Sequence, residues 1–88
     1  LDNGAAMAIS GAGKSLLAAG ITEVKGEFDT QDAVGIFDGD GNEIARGLVN
    51  YSSNELQKIR GRHSREIREI LGYEGAETVV HRDNLVLI

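Results

Sequence analysis

The sequence predicts an α+β domain built around a small, mostly antiparallel, barrel-like sheet with short flanking helices. Three observations carry that prediction. Asp38-Gly39-Asp40-Gly41 is a strong hairpin turn between two strand-like runs. The run from Glu43 to Tyr51 alternates, with Ile44, Arg46, Leu48 and Asn50 on one face and Ala45, Gly47, Val49 and Tyr51 on the other. The elements run helix, three strands, two helices, two strands, the order of an α+β domain. The small Ala45 and Gly47 further predict that another element packs closely on their face.

The elements follow in chain order. Asp2 or Asn3 is placed to cap a short Ala- and Gly-rich helix over residues 3–12, in which Met7 and Ile9 are the bulky apolar residues. Residues 15–20 read as a turn with Leu16 and Leu17 pointing inward. A strand is predicted over residues 21–28, a turn over 29–32, a second strand over 33–37 and a third over 43–51. Ser52 with Glu55 forms a capping box, opening a helix that turns Leu56 and Ile59 to the core. Gly61 interrupts, Ser64 restarts a helix with an Ile67, Ile70 and Leu71 stripe, and Gly72 stops it. Residues 78–81 and 84–88 read as two closing strands around Arg82-Asp83.

Composition narrows the function. Eighty-eight residues make one domain with a modest core. Cysteine is absent, which removes disulfides, zinc-thiolate sites and thiol nucleophiles and fits a reducing cytoplasm. No apolar run approaches the roughly 20 residues of a membrane span. Net charge is −5, unlike the basic footprint of a typical nucleic-acid binder. The charge is uneven. Residues 58–69 hold Lys58, Arg60, Arg62, Arg65 and Arg68 against Glu66 and Glu69, a local +3 on a body that is otherwise −8. Arg60, Arg62, Arg65 and Arg68 are therefore a candidate docking patch for RNA or an acidic partner. The competing reading is a solvated helix flank with intrahelical ion pairs, and the scarcity of aromatic residues around the cluster favours it.

Several short runs mimic catalytic motifs. Gly11-Ala12-Gly13-Lys14-Ser15 resembles the end of a phosphate loop, but Ala8 occupies the place of its first Gly and no buried strand precedes it. Asp38, Asp40 and Asn42 have the spacing of a calcium loop, yet Glu43 and Val49 stand where Gly and Glu are required. His81-Arg82-Asp83 begins like a kinase catalytic loop, but Ile88 stands at the position of its metal-binding Asn. His63 and His81 lie in different elements without ligand spacing. The residues give no catalytic, cofactor or metal site.

Longer runs carry a family signal. Gly13-Lys14-Ser15-Leu16-Leu17-Ala18-Ala19-Gly20-Ile21 and Val24-Lys25-Gly26-Glu27-Phe28 resemble the PUA domain. Ile44 to Ser53, Glu69-Ile70-Leu71-Gly72-Tyr73 and Val80-His81-Arg82-Asp83-Asn84 sharpen the resemblance to the PUA domains that end bacterial glutamate 5-kinases. The resemblance implies a pseudo-barrel, a single PUA domain over residues 1–88 and a homo-oligomeric cytoplasmic parent. That parent would phosphorylate the side-chain carboxylate of L-glutamate, the first step of proline synthesis. Its ATP and Mg would sit in a separate amino-acid-kinase domain of the same chain, leaving this segment a non-catalytic accessory or regulatory unit. PUA domains elsewhere bind structured RNA, which implies Lys14, Ser15, Gly20, Arg82 and Asn84 as a candidate RNA or partner face. Stand-alone RNA binding is the alternative function.

Three departures from the family pattern are visible. Ala18 stands where Pro is usual, so the turn before Gly20 is less rigid. Gln31 stands where a Gly commonly precedes Asp32, which challenges the geometry of that turn. The sequence opens at Leu1-Asp2-Asn3, at the end of the family's first strand, so an unpaired sheet edge is expected.

Overall fold

A computed structural model describes all of residues 1–88. Helix α1 spans Asn3–Ala12. Its first turn leaves amide donors without helical partners, and Asp2 accepts one from the Ala5 amide at 2.7 Å. Gly13 closes it at φ 61°, returning its amide to α1 carbonyls. Ala6 and Ile9 turn inward while Met7 faces solvent.

Strands β1 (Ala33–Phe37) and β2 (Glu43–Leu48) form the expected antiparallel hairpin. The Asp38 carboxylate accepts the Asp40 and Asn42 amides at 2.9 Å each, so it shapes the turn. The register slips between Ile36 and Phe37, and Phe37 pairs with Glu43. Strand β3 (Leu85–Leu87) adds antiparallel on the other side of β2, giving the order β1-β2-β3. This is an α+β fold on an open, three-stranded antiparallel sheet.

The alternation read along β2 is reproduced in burial. Ala45, Gly47, Val49 and Tyr51 are buried, while Arg46 and Leu48 face out. A Cβ placed on Gly47 would lie 2.5 Å from Val80 Cγ1 and 2.8 Å from the Asn84 carbonyl oxygen, which is the close approach the small residues predicted. Ladder pairing itself ends at Leu48. Beyond it the Val49 amide donates to Asp32 and the Asn50 amide to Val79.

Helix α2 (Ser53–Ile59) starts at the capping box, with Ser52 N–H donating to Glu55 Oε1 at 2.9 Å and Glu55 N–H to Ser52 Oγ at 3.3 Å. Helix α3 (Ser64–Leu71) packs beside it and ends at Gly72. Ile9, Val49, Tyr51, Leu56, Ile59, Ile67, Val79 and Val80 belong to one core. Full burial of Ile59 alone contributes roughly 2 kcal/mol.

Several expectations are corrected. Residues 21–28 form no strand, because α2 takes their carbonyls. Gln57 Nε2 donates to Val24 O at 2.9 Å, Arg60 Nη1 to Thr22 O at 2.8 Å, and Ser53 N–H to Phe28 O at 2.9 Å. Residues 78–81 supply only an isolated antiparallel bridge, Leu16 with Val80, since Val79 also serves Asn50. Residues 82–84 make a 3₁₀ turn before β3. Leu17 is 50% exposed, because the extended backbone that turns Leu16 inward turns its neighbour outward, and Ile70 lies at the exposed edge of its stripe.

Candidate interaction surfaces

The Leu16–Val80 bridge joins the chain after α1 to the approach to β3. It brings Ser15 to Arg82, whose backbone N–H donates to Ser15 Oγ at 2.8 Å. Lys14 and the Arg82 side chain are both exposed there, and Asn84 follows in the same 3₁₀ turn. Gly20 lies elsewhere. Its carbonyl accepts the Asp2 amide at 3.0 Å and it packs against Ala5, at the opposite end of α1 from Lys14. Ten helical residues separate the ends by about 15 Å. Lys14, Ser15, Arg82 and Asn84 are therefore neighbours, and Gly20 is a packing residue apart from them.

The basic cluster divides as well. Arg60 is committed to the Thr22 carbonyl, and Arg62 pairs with Glu66 at 3.4 Å in an i, i+4 arrangement. Arg65 and Arg68 are exposed and make neither an ion pair nor a side-chain hydrogen bond. They are the available cations of the group. Screening by water keeps the Arg62–Glu66 pair within about 0–1 kcal/mol of stabilisation.

Two linked pairs escaped the sequence reading. Tyr73 O–H donates to Glu55 Oε2, tying the loop after α3 to the capping box of α2. This bond is the largest influence holding the Glu55 carboxyl below its usual 4.5, and the same bond pushes the Tyr73 phenol up to about 12. On the outer face of the sheet, Arg46 Nε and Nη2 donate to Glu43 at 3.1 and 3.0 Å. Strict alternation would place residues three apart on opposite faces. The register slip beside Phe37 reorients Glu43, and no local pattern announces it.

The chain also has an open apolar groove of about 650 Å³ between residues 21–28 and β1, floored by Ile21, Val24, Phe28, Val34 and Ile36. None of the candidate site residues lines it. The Asp38 carboxylate is occupied in turn formation by the Asp40 and Asn42 amides, and backbone hydrogen bonding, first from Asn42, lowers the Asp38 carboxyl. His81 Nδ1 accepts the Asp83 amide at 3.1 Å, so the His-Arg-Asp run caps a 3₁₀ turn. No helix is long and apolar enough to cross a membrane.

Fold and surfaces together define a small α+β domain whose candidate residues lie on faces rather than in a closed cleft. The family model described as "PUA domain" matches residues 1–71, and the chain belongs to the PUA domain family. It is 78% identical over all 88 residues to a glutamate 5-kinase of Nostoc punctiforme, covering 24% of that protein. It is 69% identical over 87 residues to that of Acaryochloris marina and 62% over 87 residues to that of Thermosynechococcus vestitus, again covering 24% of each. The chain thus spans about a quarter of the length of the curated relatives it matches.

Proposed function

We propose that this chain is the accessory PUA domain of a glutamate 5-kinase, whose separate catalytic domain transfers phosphate from Mg-ATP to the side-chain carboxylate of L-glutamate in the cytoplasm. The observation that carries this reading is the 78% identity across the full 88 residues to a relative four times as long. Within the domain, the hydroxyl and carboxylate groups of Ser15, Ser52, Tyr51, Tyr73, Asp38 and Glu55 are engaged in hydrogen bonds that organise the fold. This supports a role in holding a surface, with bond-making left to other polypeptide. The three-stranded sheet is read as part of a pseudo-barrel, supported by the Leu16–Val80 bridge that continues backbone pairing beyond it.

The test is an assay of the full-length parent and of a version lacking this segment. Glutamate-dependent ATP turnover is expected from both, with altered regulation in the shorter one. No glutamate-dependent turnover in the full-length protein would refute the assignment.

A second reading, RNA binding, is favoured by one observation: the Ser15–Arg82 hydrogen bond sets two exposed cations, Lys14 and Arg82, in adjoining segments. The net charge of −5 weighs against it.

A further inference from the structure

The outer face of the sheet is apolar and uncovered. Antiparallel pairing sets Arg46 opposite Val86, and the Ile88 amide donates to Ile44 O at 3.0 Å, so Arg46, Leu48, Val86 and Ile88 share one side, while the half-buried Ile44 packs against the core. Phe37 joins them. Its ring leans over Gly35, 3.0 Å from where a Cβ would stand, and Gly35 pairs with Arg46. Phe37 is 48% exposed, Val86 68% and Ile88 69%. Monomeric proteins rarely expose contiguous apolar patches above roughly a few hundred Å².

The polar content of this face is specific. Arg46 sits on it, held by two hydrogen bonds from its guanidinium to Glu43. An oriented Arg within a ring of aliphatic and aromatic side chains is the composition of a protein-docking face, and it lacks the aromatic platforms and free cations of a nucleic-acid face. The exposed cations without an ion pair or side-chain hydrogen bond, Lys14, Lys58, Arg65, Arg68 and Arg82, belong to other segments.

We propose that this face, Phe37, Leu48, Val86 and Ile88 around the Arg46–Glu43 pair, docks against the remaining polypeptide of the parent protein. The proposal rests on the reading of this chain as one domain of a longer enzyme. The relatives carry about three quarters of their length outside the matched segment, enough folded chain to cover the face. The preformed Arg46–Glu43 pair then enters the contact already ordered, which lowers the side-chain entropy lost on docking.

The segment has no cysteine, so single thiols can report on it. Val86→Cys, Leu48→Cys and, as the exposed control, Ser64→Cys are made in the full-length parent. Alkylation at each site is followed by peptide mass spectrometry over a dilution series, with turnover measured on the same samples. Thiols at 86 and 48 are expected to react at least about tenfold more slowly than at 64, at every concentration. Equal rates in a turning-over enzyme would show the face to be free and overturn the proposal. Protection that vanishes on dilution would overturn it in favour of a second copy. Loss of glutamate-dependent turnover in the unmodified parent would instead strike the functional reading, and the labelling rates still report on the face.

Discussion

Tyr73 and Glu55 close the α2–α3 pair into a loop. The Tyr73 phenol donates to Glu55 Oε2, while Glu55 Oε1 accepts the Ser52 amide at 2.9 Å. One carboxylate therefore serves both as helix cap and as anchor for the segment after α3. The Tyr73 pKa, pushed up to about 12 by this bond, means that folding favours the protonated phenol. Stability from this source is complete below the ordinary 10.0 and is lost as pH rises towards 12. Glu55 works in the opposite sense. Its carboxyl lies below 4.5, so its contribution is present above that value and disappears as pH falls through the lowered one. Tyrosinate absorbance during alkaline titration should show Tyr73 ionising near 12, and Glu55→Gln should bring it back towards 10.0. Ionisation of Tyr73 at its ordinary value in the unaltered protein would contradict the contact.

Gly47→Ala should be among the most damaging single changes in the sheet. The new methyl meets Val80 Cγ1 at 2.5 Å and, less forgivingly, the Asn84 backbone oxygen at 2.8 Å. A loss of about 2–3 kcal/mol is expected in denaturant unfolding. Gly11→Ala, at an α1 position with nothing within 4 Å, should instead gain about 0.5–1 kcal/mol through helix propensity. Similar effects of the two substitutions would remove the close-packing account of β2.

Gln31 is the one non-glycine residue with positive φ, at 72°. A left-handed L-residue carries a cost of about 1–2 kcal/mol. Its side chain offsets part of this, with Nε2 donating to Asn50 Oδ1 at 2.9 Å while Asn50 Nδ2 donates to Thr78 O at 3.0 Å. Gln31→Ala keeps the strain and removes the bond, so it should lose about 1 kcal/mol. Gln31→Gly removes both and should stay within about 1 kcal/mol of the parent. Thermal unfolding that ranks Ala above Gly would show the turn to be unstrained.

Arg65→Glu with Arg68→Glu should leave stability within about 0.5 kcal/mol, because neither side chain has a partner to lose. Titration with total tRNA at low salt should give weak binding that fades steeply with added salt. Lys14→Glu with Arg82→Glu should weaken it further. Tight binding that persists at physiological salt would move the RNA reading ahead of the accessory one.

Much of this fold was legible because its signals are local. The cap at Asp2, the Ser52–Glu55 box, the Asp38–Gly41 turn and the period-two pattern from Ile44 to Tyr51 each depend on residues within a few positions of one another. The oddity of Gln31 was legible too, and its strained backbone is where the structure placed it. The surfaces were less readable. Arg60 and Arg62 look alike in sequence, yet one is bound to Thr22 and the other to Glu66, because the path of residues 21–28 decides which carbonyl is within reach.

The sequence by itself determined where helices start, where the hairpin turns and which face of β2 goes inward, since backbone capping and side-chain alternation act over one turn or one pleat. Tertiary structure alone decided that residues 21–28 would give their carbonyls to α2 and not to a strand. It also decided that Val80 would meet Leu16, Arg82 would meet Ser15, and Tyr73 would reach Glu55. Those pairings join residues far apart in the chain, and a hydrogen-bonding group chooses its distant partner only when the whole core has closed around it.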